Sequence, residues 1–159
     1  MGDNTRPDRA ISINIMVEIF RQLKHEWQDP SKIRFEVALE GAYYIIAFCC
    51  AIRGEEIGKA DLAGIRKHFD PSGASDPPHV VVALLGRFKG ETGLGYHLMP
   101  LVIQTRSGLE PRKWIGRLLE FYKEKGIFHG PFFRDEAGTA LTPSDMSETF
   151  YRRLGYVQY

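Results

Sequence analysis

The 159-residue sequence predicts one α+β domain in which helices surround a small antiparallel sheet. Apolar residues recur at three- and four-residue steps in its first third and its last third, which is typical of helices that pack on a core. Between these regions lie a β-branched apolar run and a second apolar run, separated by a glycine-rich linker, which is the pattern of a β-hairpin. With 43% hydrophobic and 26% charged residues, the composition is that of a globular domain and excludes a disordered chain.

The first helix is predicted from Ser12 to Trp27, after a flexible lead-in at residues 1–10. One apolar stripe defines it: Ile15, Met16, Ile19, Phe20, Leu23 and Trp27. Asp29-Pro30-Ser31 breaks the helical pattern, and a second helix is predicted from Lys32 to Ile52. Its end, residues 41–52, is apolar on all sides, which indicates burial, and it is too short to span a bilayer.

The sheet is predicted in the middle of the chain. From Asp61 to Phe69 the periodicity loosens, and a short strand is expected there. The runs His79–Leu85 and Gly95–Ile103 then form an antiparallel hairpin, joined by a long linker with glycines at both ends. Pro100 is tolerated best on an edge strand, because it cannot donate a hydrogen bond to a neighbour.

Two further helices follow the hairpin. The third begins near Pro111, a favoured first-turn residue, and ends at Gly126. Phe132-Phe133 is predicted as a short extended piece. The fourth helix begins after Thr142, with Pro143 in its first turn and Asp145 completing the cap.

Net charge and cysteine content limit the classes of function. A net charge of +1 does not by itself indicate a nucleic-acid-binding protein, since such domains are usually more basic. The stretch Leu84–Leu118 is nevertheless basic, with six Lys/Arg against two acids. The adjacent Cys49 and Cys50 cannot easily pair on a helix, so they are expected to be buried in a reducing, intracellular protein, nuclear in a eukaryote and otherwise cytoplasmic. No metal or other cofactor is expected, because Cys/His spacing of the metal-binding type is absent.

Three motifs at the joints of these elements occur in an informative order. Arg53-Gly54-Glu55-Glu56-Ile57 follows the apolar helix, and Gly86-Arg87-Phe88-Lys89-Gly90 opens the hairpin linker. Met99-Pro100-Leu101 ends the second strand. This ordered set resembles the catalytic domain of tyrosine recombinases, the phage-integrase type of DNA breaking and rejoining enzyme, over its first two-thirds (residues 12–155 here). Glu55 departs from the family's serine or threonine.

The resemblance implies double-stranded DNA as the partner and assigns roles to residues. In the family a tyrosine attacks the scissile phosphate, arginines stabilise the charge that grows on its oxygens, and a lysine protonates the leaving oxygen. By this carry-over Arg53 is the phosphate clamp, Lys89 is the general acid, and Glu56 orients the arginine. Beyond these, Arg87, Arg112 and Lys113 are expected to line the DNA groove, with no role for a membrane.

Each of these roles has an alternative. Arg53 could instead form a salt bridge with Glu55 or Glu56 at a helix end, and Lys89 could be an ordinary solvated lysine in a loop. Arg87 competes with Lys89 for the hairpin role, because the two lie only two residues apart.

The family's second box, a histidine followed three residues later by an arginine, is not found in the sequence. Tyr156 and Tyr159 come too early in the chain to match the nucleophile. We therefore expect the DNA-binding part of a recombinase-like domain that is incomplete for strand cleavage by itself, which leaves its status as an enzyme open. The missing groups would come from a longer parent protein, a completing chain or a homo-oligomer. Two alternatives are a non-catalytic DNA- or protein-interaction module of the same fold, and an unrelated α+β domain that needs a partner subunit.

Overall fold

The computed structural model describes residues 12–52, 54–70, 79–86 and 95–155. These residues form an α+β fold that is roughly half helical and contains a two-stranded antiparallel sheet, which confirms the predicted class. The elements in chain order are α1 (Ile13–Trp27), α2 (Arg34–Cys50), α3 (Gly54–Ile57), α4 (Leu62–His68), β1 (His79–Leu85), β2 (Tyr96–Val102), α5 (Pro111–Glu124) and α6 (Pro143–Leu154). In the described ranges, no helix combines the length and apolar character that crossing a membrane requires.

Local signals fix the starts of α1 and α6 as predicted. The Ser12 hydroxyl accepts a hydrogen bond from the Ile15 amide at 3.2 Å and caps α1. At α6 the Thr142 hydroxyl accepts from the Asp145 amide, while the Asp145 carboxylate accepts from the Thr142 amide, each at 3.1 Å. This reciprocal capping box, with Pro143 in the first turn, confirms the predicted start of the last helix. The predicted lead-in at residues 1–10 lies outside the described residues.

The prediction for residues 61–69 was wrong. Most of this stretch is α4, and only Ala60 and Asp61 make isolated β-bridges, to Leu84 and Pro131. The Asp61 carboxylate caps α4 by accepting from the Gly64 amide at 3.0 Å, and the last turn is basic, which suits the helix dipole. The helix forms because these two end signals outweigh the weak apolar periodicity of a seven-residue segment.

The hairpin is antiparallel as predicted, and β2 lies one residue inside the predicted run at each end. His79 lies opposite Val102 and Leu85 lies opposite Tyr96. The Gly86 amide donates to the Gly95 carbonyl at 3.1 Å, and hydrogen-bonded pairs alternate from there. The backbone groups of Tyr96, Leu98, Pro100 and Val102 therefore face away from β1. Pro100 loses no ladder hydrogen bond, which explains why the strand tolerates it.

The core lies between α2, α5 and the inner face of the hairpin. Gly41 of α2 lets the Trp114 indole of α5 pack against the helix backbone, since a Cβ at this position would lie 2.3 Å from Trp114 Cε3. Edge-to-face aromatic contacts extend the core along α2. They join Phe35, Tyr122, Phe132, Phe133, Tyr43, Tyr44 and Phe150 in sequence.

One buried arginine attaches α6 to the first two helices. Arg153 Nε and Nη2 donate to the two oxygens of Glu40 at 2.8 Å each, and Nη2 also donates to Glu26 Oε1 at 3.0 Å. Nη1 donates to Glu26 Oε2 and to Gln22 Oε1. All five guanidinium N–H donors are thus used within the protein. Burial opposes charge on this group, but the hydrogen bonds and charges of Glu40 and Glu26 outweigh burial and raise the pKa of Arg153.

Candidate nucleic-acid interface

The hairpin root, which we define as Leu85, Gly86, Gly95 and Tyr96, is fixed to the chain segment that follows α3. The Leu85 amide donates to the Lys59 carbonyl at 2.8 Å, and the Asp61 amide donates to the Ala83 carbonyl at 3.0 Å. Residues 59–61 therefore run along the edge of β1 that β2 does not occupy. The two ends of the hairpin linker, Gly86 and Gly95, therefore belong to a part of the fold that is hydrogen-bonded to residues 59–61.

The α3 helix brings the chain from the end of α2 to the hairpin root. α2 ends at Cys50, and its C-cap residue Ala51 has a φ of 53°, in the left-handed region that an alanine rarely adopts. In α3, Ile57 is buried, and the Lys59 amide closes the turn on the Glu56 carbonyl at 3.0 Å. Glu56 is half-buried in this turn, two residues after Gly54. The sequence motif at residues 53–57 is thus followed at once by residues 59–61, the segment that is hydrogen-bonded to β1.

A second contact, between Tyr96 and Asp61, holds the other strand of the root. The Tyr96 hydroxyl donates to Asp61 Oδ2 at 2.9 Å, the same oxygen that accepts from the Gly64 amide. Asp61 is 9% exposed, while Tyr96 is 36% exposed. The hydrogen bond to Asp61 raises the pKa of Tyr96, so the phenol stays protonated at neutral pH and acts as a donor.

The segment 59–62 is supported from its other side by residues 130–132. The Leu62 amide donates to the Gly130 carbonyl and the Phe132 amide donates to the Ala60 carbonyl, both at 2.9 Å. Tyr122 of α5 in turn donates to the Phe132 carbonyl at 2.6 Å, and burial raises the pKa of that tyrosine to about 12. The hairpin root is therefore connected to the core through residues 59–62, residues 130–132 and Tyr122.

The structure places Arg112 and Lys113 away from the hairpin root. Arg112 Nε donates to the Asp70 carbonyl at 3.2 Å, at the end of α4 opposite Asp61. Lys113 forms an ion pair with Glu110 at 3.0 Å. On α5, Arg112 precedes Tyr122 by ten residues, a helical rise of about 15 Å. Arg112 therefore lies near the end of α4 that is farther from the hydrogen bond between Asp61 and Tyr96.

Arg53, Arg87 and Lys89 lie outside the described residues, so their predicted roles remain predictions. The described residues that flank them are Ile52 and Gly54 for the arginine, and Gly86 and Gly95 for the linker. The hydrogen bond between Leu85 and Lys59 joins the chain five residues after Gly54 to the strand that ends one residue before Gly86.

The buried arginines of the described ranges serve the fold. The network of Arg153 has no donor left for a phosphate, as described above. Arg134 donates to the carbonyls of Pro131 and His129 at 2.8 and 2.6 Å and lies 5.1 Å from the ring centre of Tyr122. Across the described ranges, no group of His, Cys, Asp and Glu side chains is arranged to hold a metal ion.

The described residues define an α+β domain in which the hairpin root is hydrogen-bonded to the segment that follows α3. Comparison of the chain with protein-family models, with curated proteins and with solved structures found no match. Any assignment of this chain to a class of protein therefore depends on the geometry of the fold and on the motifs in the sequence.

Sequence reasoning missed the two side chains that fix the root, Asp61 and Tyr96. Asp61 could have been found, because an aspartate before Leu62 and a basic last turn are signals for a short helix. Tyr96 could not, because its partner is 35 residues away in the sequence.

Proposed function

We propose that this domain binds double-stranded DNA through the phosphate backbone, as the DNA-binding part of a tyrosine-recombinase-like or integrase-like domain for DNA integration or rearrangement. Arg53 is the proposed phosphate clamp, and Lys89, the general acid by the resemblance, is proposed as a second phosphate contact, with Arg87 in the same linker. Glu56 is proposed to orient Arg53. The proposal covers binding and not strand cleavage, because the second arginine box and the nucleophilic tyrosine are not identified in the sequence.

The observation that carries the proposal is the hydrogen bond between the Leu85 amide and the Lys59 carbonyl, at 2.8 Å. It joins the chain that follows Arg53 to the strand that leads into Arg87 and Lys89. Residue 53 is six positions from Lys59, and Arg87 is two positions from Leu85. Two cationic groups attached to the same part of the fold can contact one phosphodiester from opposite sides. An arginine suits one side because its planar guanidinium can donate two hydrogen bonds to a phosphate, and a lysine suits the other because its ammonium is a compact charge.

Two further features support the proposal. Ala51 holds a left-handed conformation two residues before Arg53, and such strain is kept where the surrounding fold demands a particular chain direction. In addition, the last turn of α4 carries the exposed cations Arg66 and Lys67, near Arg112. Basic groups thus continue from the hairpin root towards α5, along a path that a DNA strand could follow.

A salt-dependent binding titration tests the proposal. Anisotropy of a labelled duplex is measured at stepped salt concentrations for the wild type and for the double variant Arg53→Ala/Lys89→Ala. Each lost phosphate contact lowers the slope of log K against log salt by about 0.9, so the double variant should lose roughly 1 to 2 units of slope. We expect its affinity at physiological salt to fall about tenfold or more.

The control removes two charges elsewhere. Arg21→Ala/Arg152→Ala deletes two exposed arginines, on α1 and α6, whose partners are Glu18 and Glu148. This variant should keep the wild-type slope. If both double variants bind like the wild type at every salt concentration, or if the wild type does not bind duplex DNA, the assignment is wrong.

The alternative, a non-catalytic protein-interaction module of the same fold, is favoured by one observation. On β2, Leu98 and Val102 are 44% and 56% exposed, and Leu85 of β1 is 50% exposed at the same sheet. Under this alternative Arg53→Ala leaves DNA affinity unchanged. Leu98→Ser/Val102→Ser would instead weaken self-association or partner binding, as measured by sedimentation velocity.

A further inference from the structure

The second strand of the hairpin, β2, forms an edge of the sheet. The backbone groups of Tyr96, Leu98, Pro100 and Val102 face away from β1. In the described ranges, these four residues have no backbone hydrogen bond on that side. Each of them offers a carbonyl acceptor, and all except Pro100 also offer an N–H donor. This edge can therefore accept another strand.

The side chains of β2 suit an uncharged partner strand. Residues 96–102 contain no Asp, Glu, Lys or Arg, and Leu98 and Val102 are exposed. Edge strands are usually protected from pairing by a lysine, by a charge that points inward or by a proline, and here only Pro100 serves this purpose. It removes one donor and leaves the other backbone groups of the edge in place. A second copy of β2 meets this edge without bringing like charges together.

The core leaves room beside β2. On the inner face of β1, Val80, Val82 and Leu84 are fully buried. On the same face of β2, His97 and Met99 are only half-buried. The helices therefore cover β1 completely and β2 in part, so a strand added beside β2 does not have to displace them.

The strand is complementary to itself in an antiparallel register centred on Met99. In this register Tyr96 of one copy lies opposite Val102 of the other, and Leu98 lies opposite Pro100. Tyr96 and Val102 exchange two hydrogen bonds, and the Leu98 amide donates to the Pro100 carbonyl. Moving the axis to Leu98 or to Pro100 leaves one end of each β2 strand unpaired and lowers the number of hydrogen bonds.

We propose that β2 pairs with β2 of a second copy of this chain, antiparallel about Met99, and joins two hairpins into a four-stranded sheet. Both copies use the same edge, while the Ala83 carbonyl and the Leu85 amide at the other edge of β1 already bond to residues 59–61. The contact is therefore isologous and closes at two copies. The interface is small, so the dimer should dissociate with a Kd of roughly 10–100 μM. The inference does not depend on DNA binding.

Disulfide cross-linking tests the register, in a Cys49→Ala/Cys50→Ala background that removes the native thiols. Met99→Cys places two thiols on the axis, in a pair with Cα atoms about 4.5 Å apart, which a disulfide can bridge. The control is Val102→Cys, because the two Val102 positions lie six residues apart along the paired strands, or about 20 Å. Val102 is also more exposed than Met99, so random collisions would favour the control. We expect Met99→Cys to form the covalent dimer at least tenfold faster.

Sedimentation equilibrium without DNA tests the hydrogen bonds between Leu98 and Pro100. Pro100→Val adds a second bond to this pair, and Leu98→Pro removes the one that exists. Both changes affect an N–H position that faces away from β1, so the hairpin ladder stays intact. By symmetry each change counts twice, so Pro100→Val should lower the Kd about tenfold. Leu98→Pro should stay monomeric at about 500 μM, several times the expected Kd.

Three results would overturn the proposal. A wild-type chain that is monomeric at about 500 μM would leave this edge to a strand of another protein. Equal cross-linking rates for Met99→Cys and Val102→Cys would rule out the register. A dimer whose Kd responds to neither Pro100→Val nor Leu98→Pro would be formed by a different surface.

Discussion

Replacing Arg153 by leucine should be among the most destabilising single changes in this protein. The arginine side chain is 8% exposed, and its partners Glu26 and Glu40 are 20% and 12% exposed. Leucine would fill part of the volume but leave two carboxylates facing each other without a cation. Breaking a buried ion pair by removing one partner costs about 3–5 kcal/mol. For a chain of this length that corresponds to a fall in Tm of roughly 6–20 °C.

Urea unfolding followed by tryptophan fluorescence measures this loss, because Trp27 and Trp114 report on the core. The matched control is Arg152→Leu, the same change one residue earlier on α6. Arg152 is 61% exposed and lies 3.7 Å from Glu148, so its loss should cost no more than about 0.5 kcal/mol. A similar small cost for both variants would refute the role of the buried network.

A compensating variant separates unpaired charge from lost packing. Adding Glu26→Gln and Glu40→Gln to Arg153→Leu removes both unpaired carboxylates and keeps the acceptor for the Tyr44 hydroxyl. We expect this to restore at least half of the lost free energy of unfolding. No recovery would mean that the cost came from packing and not from charge.

Three further predictions concern single sites. Gly41→Ala should lower the free energy of unfolding by about 1–3 kcal/mol in urea titrations, because the added Cβ collides with Trp114 at 2.3 Å and outweighs the gain in helix propensity. Hydrogen bonds from Thr142 lower the pKa of Asp145. The stabilising effect of the ionised carboxylate is therefore present above the ordinary carboxyl pKa and is lost as the pH falls through the lowered pKa. Between pH 4.5 and pH 2.5, roughly the range in which carboxyl groups titrate, the urea midpoint of Asp145→Asn should change less than that of the wild type. Burial, with the adjacent Cys49, raises the pKa of Cys50 to about 12 from 9.0, so thiol-reactive reagents at pH 8 should modify it about 1000-fold more slowly in the native protein than in urea.

Local signals in the sequence were sufficient for most elements. The bounds of β1 follow from its β-branched run, and the start of α6 follows from Thr142, Pro143 and Asp145. These features act over three to seven residues, so a linear reading captures them. The same reading failed at α4, where a seven-residue helix has too few turns to show a periodic stripe and only its ends carry information.

Long-range contacts could not be predicted. Arg153 reads as a surface residue beside Arg152, yet its carboxylate partners lie 113 and 127 positions earlier. The pairing of residues 59–61 with β1 and the approach of Tyr96 to Asp61 likewise depend on how the elements pack. The sequence shows each motif of the candidate site separately, whereas the hydrogen bonds that connect residues 59–61 to the hairpin root are seen only in the three-dimensional structure.

We propose that DNA binds this domain at α3 and the hairpin root. An NMR titration of the isotope-labelled protein with a short duplex tests it most directly. We predict that backbone amide shifts will move first at residues 54–61, 85–86 and 95–96, and will return when the salt concentration is raised. Shifts confined to α1 or α6, or the absence of any change at saturating duplex, would contradict the account.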